Sequence, residues 1–188
     1  MPYYAQSYKN GASQMETVEN DTTTGSQYWI DQLGLEPHPE GGHFVEVYRA
    51  SEEIPRHALP TRFDGDRAFC TAIFYLLEEG DFSAFHRIKS DETWHFYAGG
   101  PLDVLMLSKE GVSTVRLGRE VHKGQVLQMT VPAEVWFAAR PVEGSRYTLA
   151  GCTVSPGFDF TDFQMGTRQE LSVEFPTCLR YIEELTRE

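Results

Sequence analysis

The sequence predicts an all-β sandwich or barrel flanked by a short N-terminal helix and a C-terminal helix. Three observations carry that prediction. The chain has 188 residues, 13% of them aromatic, and Phe, Tyr and Trp favour strands. From Gly42 onward, short apolar segments recur, several of them alternating apolar and polar residues. Turn signals separate most of them, at Gly99-Gly100-Pro101, Lys109-Glu110-Gly111, Lys123-Gly124 and Glu143-Gly144-Ser145.

Taken in order, residues 1–25 are polar, rich in Ser, Thr, Asn and Gly, and without periodicity. They read as a tail before a single domain spanning 26–188. "SQYWIDQLGLEPHPEGG" predicts a short helix with Ser26 as N-cap, Trp29, Ile30 and Leu33 as its apolar face, and Gly34 as its stop. "HFVEVYRA" is a strand that sets Phe44, Glu46 and Tyr48 on one face and Val45, Val47 and Arg49 on the other. "RHALPTRFDGDR" is a loop. "AFCTAIFYLLEEG" is too apolar for a half-exposed strand and is expected to be covered on both faces. "DFSAFHRI", "ETWHFYAG", "PLDVLMLS", "VSTVRLG", "QVLQMTVP", "VWFAARPV" and "RYTLAGCTV" are further strands. "PTCLRYIEELTRE" closes the chain as an amphipathic helix, with Leu179, Ile182 and Leu185 on one face.

Composition excludes several functions. The 28 acids against 16 Lys plus Arg give a net charge of −12, which repels phosphate backbones and anionic lipid. No nucleic-acid or membrane partner is expected, and no apolar run approaches the roughly 18 residues of a membrane span. The start carries no secretory pattern. Cys70, Cys152 and Cys178 are far apart and form no C-x-x-C, so they read as buried thiols of a cytoplasmic protein. There is neither a G-x-S-x-G element nor a Gly-rich phosphate loop.

One stretch is more specific. Gly80, five intervening residues, His86, then Ile88, three intervening residues, Glu92, six intervening residues and Gly99 follow a recognisable spacing. It resembles the first motif of the cupin superfamily, with Ile88 where a second histidine belongs. A weaker second motif runs from Gly124 to Pro132, with Glu134, Phe137 and Pro141 in place of a glycine, a histidine and an asparagine. The segments His38–Arg49, Ser90–Leu102 and Gly151–Phe163 are similar to those of a group of small single-domain cupins. The resemblance implies a jelly-roll barrel, a homodimer, and kinship with sugar-nucleotide epimerases and seed storage proteins.

The strand period then assigns the candidate site. If His86 points into the barrel, so do Phe82, Ala84 and Ile88, and Glu92 brings Trp94 and Phe96 inward. Phe137 faces them from the second motif. His95 points outward unless a one-residue bulge turns it in. The resemblance to cupin epimerases implies His86 as a catalytic base with Glu92 orienting its ring, and Tyr48, Tyr75 or Tyr97 as the acid. Glu46, Arg49, Trp94, His95 and Phe137 are the ligand-binding candidates, with Arg49 meeting a substrate phosphate or carboxylate. No cofactor is expected, because Ile88 and Phe137 replace two ligands of the superfamily's metal site; an ion, if held, would take His86, Glu92 and His95. The function expected is that of a small-molecule-binding cupin, a metal-independent isomerase or epimerase of a sugar-like or nucleotide-sugar substrate. The alternatives are a non-catalytic sensing module with the same pocket, and a metal-dependent dioxygenase or decarboxylase.

Overall fold

A computed structural model describes residues 25–187. The tail expected over residues 1–25 therefore lies, apart from Gly25, outside the described residues. Helix α1 (Ser26–Leu33) leads into strands β1 (Glu36–Pro37), β2 (His43–Arg49), β3 (Glu53–Ile54), β4 (Arg67–Ala68), β5 (Thr71–Glu78), β6 (Ser83–Arg87) and β7 (Asp91–Gly99). Strands β8 (Leu102–Ser108), β9 (Gly111–Leu117), β10 (Gln128–Val131), β11 (Phe137–Pro141), β12 (Tyr147–Ser155) and β13 (Gln164–Met165) complete the sheets, and helices α2 (Arg168–Glu174) and α3 (Leu179–Glu184) follow. Six strands pair in the order β1-β2-β5-β12-β7-β10, five in the order β13-β6-β11-β8-β9, and β3 pairs with β4 apart from both. All strand pairings within the two main sheets are antiparallel, and the result is an all-β jelly-roll sandwich.

The inner faces meet in a core of Tyr75, Leu77, Trp94, Leu102, Val104, Leu117, Val131 and Phe137. A second cluster seats Leu171, Phe175, Ile182 and Leu185 against Phe85, Leu105, Leu107 and Trp136 of the five-stranded sheet. The segment predicted as one C-terminal helix from Pro176 holds a 3-10 turn at Pro176–Cys178 and the short α3, and a further helix, α2, precedes it and buries Leu171. Leu179, placed on the apolar face, is exposed. Phe82 likewise packs beside this second cluster and not into the barrel. At the N-terminus, α1 lays Trp29, Ile30 and Leu33 over Leu76 and Leu149. Its Ser26 hydroxyl reaches Glu78 and does not cap the helix, whereas Gly34 ends it in the left-handed region as expected.

Three bulges decide which side chains face inward. In β2, Glu46 pairs with Ile73 and Tyr48 with Ala72, so Val47 is the extra residue. Arg49 thereby joins Phe44 and Glu46 on the inner face, and Tyr48 turns outward. In β6, His86 opposes Phe137 and Ser83 opposes Ala139, so Ser83 and His86 share a face. In β7, Phe96 and Ala98 pair with the consecutive residues Ala150 and Leu149, which leaves Tyr97 as the extra residue. That bulge lies beyond His95, which keeps its outward position.

Candidate functional site

Between the two sheets lies a cavity of about 270 Å³. Its walls follow the strand period: Phe44, Glu46 and Arg49 from β2, Thr71, Ile73 and Tyr75 from β5, Cys152 and Val154 from β12, with His86 and Ile88 opposite. Glu92 enters from β7, and His38 and Glu40 from the loop before β2. Phe158, Asp159, Phe160 and Phe163 form the mouth.

The polar centre is a pair that the sequence did not announce. His86, 2% exposed, holds its Nε2 3.3 Å from Oε2 of Glu40, which is 6% exposed. The other ring nitrogen, Nδ1, donates to the Ala84 carbonyl at 2.8 Å. Nδ1 therefore carries a hydrogen, and Nε2, beside the Glu40 carboxyl, is the ring position that gains or loses a proton. Ser83 Oγ donates to the other Glu40 oxygen at 3.0 Å. The Glu40 backbone is tied down as well, its carbonyl accepting from Ala84 N–H at 2.9 Å and from Arg187 Nε at 3.1 Å.

The glycines after Glu40 make this approach possible. Gly42 has φ +67°, and a Cβ there would lie 2.5 Å from the Leu76 carbonyl oxygen, so only glycine fits. Gly41 contributes its carbonyl, which accepts the Tyr75 hydroxyl at 2.7 Å. "PEGG" is therefore a turn, but one built to drive a carboxylate into the barrel.

Glu92 does not meet His86. It sits on the opposite sheet, 7% exposed, with the Cys152 thiol as its hydrogen-bond partner. Burial, together with the charge of Glu40, pushes its carboxyl up to about 8. The same burial, and Glu92 itself, push the Cys152 thiol well up, so this cysteine is an unreactive wall residue. Burial pushes the Tyr75 hydroxyl well above its ordinary value and lowers that of His38, which is neutral and accepts a hydrogen bond from the Glu40 N–H at 3.3 Å.

The remaining predicted site residues divide. Glu46 and Arg49 do line the cavity, yet they face each other: Arg49 donates from Nε at 2.9 Å and from Nη2 at 2.6 Å to the two Glu46 oxygens, and from Nη1 to the Phe158 carbonyl at 3.1 Å. Phe137 is fully buried and packs its ring on His86, centroids 4.1 Å apart. Trp94 lies in the core against Tyr75 and Phe137 and is not part of the cavity wall. His95 bonds Thr153 Oγ1 at 3.1 Å on the outer face. Tyr48 is 47% exposed and Tyr97 50%; neither lines the cavity, which leaves Tyr75 as its only tyrosine among the described residues.

The aromatic mouth is held by a buried ion pair. Arg67 forks onto Asp162 with two bonds of 2.6 Å, both side chains 5% exposed or less. Asp162 is thus a buried, paired acid. It anchors the turn that carries Phe160 and Phe163, while Asp159 accepts from Thr161 N–H at 2.8 Å and caps the same turn.

A family model described as "Cupin superfamily (DUF985)" matches residues 27–166. The chain belongs to the cupin superfamily. Two solved structures are similar over most of the chain. A hypothetical protein from Leishmania major is 31% identical, with 88% of this chain and 100% of that one covered and a TM-score of 0.79. A protein from Shewanella oneidensis is 33% identical, covering 88% and 99%, with a TM-score of 0.78. No curated protein matches.

Many cupins hold a metal on histidines and a carboxylate, and the residues of this cupin do not fit that ion. Ile88 and Phe137 present carbon where two donors would stand. His86 donates from Nδ1 to the Ala84 carbonyl, and Glu92 stands on the opposite sheet with the Cys152 thiol as its partner. His95, the expected third ligand, points out of the barrel. Among the described residues, no three His, Cys, Asp or Glu side chains gather as a metal site.

Proposed function

We propose that this cupin is a small-molecule isomerase that works by proton transfer, with His86 as its base. The single observation that carries the reading is the His86–Glu40 pair buried in the cavity wall. His86 Nε2 takes the proton from a carbon next to a carbonyl, and the imidazolium formed is stabilised by the Glu40 carboxylate 3.3 Å away. The carbonyl oxygen takes up the electron pair as an enediolate. The hydroxyl proton on the deprotonated carbon passes to the former carbonyl oxygen, and the same Nε2 returns its proton to the neighbouring carbon, so that aldose and ketose interconvert.

One-base isomerisation is favoured over two-face epimerisation by the state of Tyr75. Its hydroxyl is engaged with Gly41 and is hard to ionise, so it suits hydrogen bonding to the substrate better than outright proton donation. The cavity of about 270 Å³ suits a molecule near the size of one sugar. A nucleotide sugar is disfavoured, since Arg49, the guanidinium of the wall, is already neutralised by Glu46. The non-catalytic alternative shares the pocket but gives no reason for a carboxylate buried beside His86.

The test is a panel of aldoses, ketoses and amino-hexoses incubated with the protein and followed by NMR for a new isomer. Conversion that disappears in His86→Asn supports the reading; conversion unchanged in that variant removes it. A homodimer belongs to the same proposal. Val47, Tyr48, Phe69 and Tyr97 are exposed at 44–50%, more apolar surface than a lone sandwich needs. Sedimentation giving a monomer at micromolar concentration would refute that part.

A further inference from the structure

The charges of the cavity wall say what kind of molecule it receives. Four carboxyl groups line it, those of Glu40, Glu46, Glu92 and Asp159, against the one guanidinium of Arg49. Three of the four are accounted for. Glu40 faces His86, Glu46 holds Arg49, and Asp159 caps its turn. Glu92 is different. It is 7% exposed and opens on the cavity, with a thiol as its hydrogen-bond partner and no cation beside it among the described residues. A buried carboxyl in that state lacks the counter-charge that its ionised form requires.

The mouth adds an independent feature. Phe158, Phe160 and Phe163 stand at the mouth, and Phe160 is 56% exposed although it packs on Phe158 and Phe163. Aromatic rings beside a passage suit an organic cation better than an anion. An anionic substrate would meet a guanidinium already forked on Glu46, and beyond it Glu40.

We infer that the cavity receives an organic cation: a sugar-sized molecule bearing a basic amino group, whose ammonium pairs with Glu92 across from His86. This names the substrate class of the isomerase reading and rests on that reading for the chemistry. The ammonium sits on the six-stranded sheet, which carries Glu92, and the carbon to be deprotonated faces the other sheet, which carries His86. Hydroxyl groups of the ligand would meet Tyr75 and Thr71.

The test reads binding alone, by calorimetry on the full chain at pH 7.5, with glucosamine, glucose and glucuronate as the probes. They share one ring size and differ in charge. Glucosamine is expected to bind the unmodified protein about tenfold or more tightly than glucose, the scale of one charge-assisted contact, and glucuronate most weakly. In Glu92→Gln the glucosamine preference is expected to vanish while glucose binding persists. Glucuronate binding as tightly as glucosamine, equal binding of all three, or no binding of any would overturn the inference. So would a preference for glucosamine that survives Glu92→Gln. The comparison on the unmodified protein stands even if that variant does not fold. Isomerisation without an ammonium preference would sink this inference alone; an ammonium preference without isomerisation would sink only the catalytic reading.

Discussion

Glu92→Gln is predicted to make the protein more stable, and only at higher pH. The Glu92 carboxyl ordinarily releases its proton near 4.5, but in the folded protein near 8. Between those values the folded protein binds a proton that the unfolded chain has lost. Stability from this group is therefore fully present below about pH 4.5 and falls as pH rises toward 8. At about 1.36 kcal/mol per pH unit, the interval amounts to about 5 kcal/mol. That figure is an upper bound, since water entering the cavity would screen part of the cost, and glutamine must still satisfy its amide. We expect a net gain of about 2 kcal/mol or more at pH 9, or about 5 °C in Tm for a chain of this size. At pH 5 the two proteins should be nearly equal. Urea unfolding of both at pH 5 and pH 9 gives the comparison. Parallel pH profiles for the two proteins would show that Glu92 is not held protonated by the fold, and the account of an unpaired buried carboxyl would fail.

Two further outcomes follow from the same geometry. Arg67→Ala leaves the buried Asp162 with only Lys89, whose Nζ lies 3.5 Å away, and should cost about 2–4 kcal/mol in urea unfolding; a loss below about 1 kcal/mol would show that the ion pair does not hold the mouth. Ile88→His with Phe137→His supplies two of the missing donors beside His86 and Glu92, and elemental analysis should find about one more divalent ion per chain than in the unmodified protein; unchanged metal content would mean that Glu40 keeps His86 out of any ligand set.

Most of the fold was legible because strand period and turn chemistry are local. Gly80 falls in the turn between β5 and β6, and His86 and then Glu92 with Gly99 lie on the consecutive strands β6 and β7. The site was legible only in part, because parity fails at bulges. A single extra residue, Val47, exchanged the positions of Tyr48 and Arg49. The extra residue in β6 turned Ser83 toward Glu40 and sent Phe82 to the helices. Nothing local in "HFVEVYRA" or "DFSAFHRI" signals either bulge; both are set by the neighbouring strand.

Glu40 was missed for a different reason. Pro39, Gly41 and Gly42 suffice to explain a turn, and the acid between them reads as solvated. The available signal was that a turn needs no carboxylate there, while His86 needed a partner. Glu92 was assigned that role by its place in the motif, but β6 and β7 lie in different sheets. The outward position of His95 followed from simple alternation, because the bulge in β7 comes only at Tyr97.

The central claim is that His86, backed by Glu40, moves a proton on a ligand inside this barrel. It is tested most directly by solvent exchange: the protein, His86→Asn and Glu40→Gln are each incubated in D₂O with hexoses and amino-hexoses, and deuterium next to the carbonyl is read by NMR. The account predicts deuterium uptake with the unmodified protein, none with His86→Asn, and uptake slowed about a hundredfold or more with Glu40→Gln. Uptake at the same rate in all three proteins, or in none of them, would contradict it.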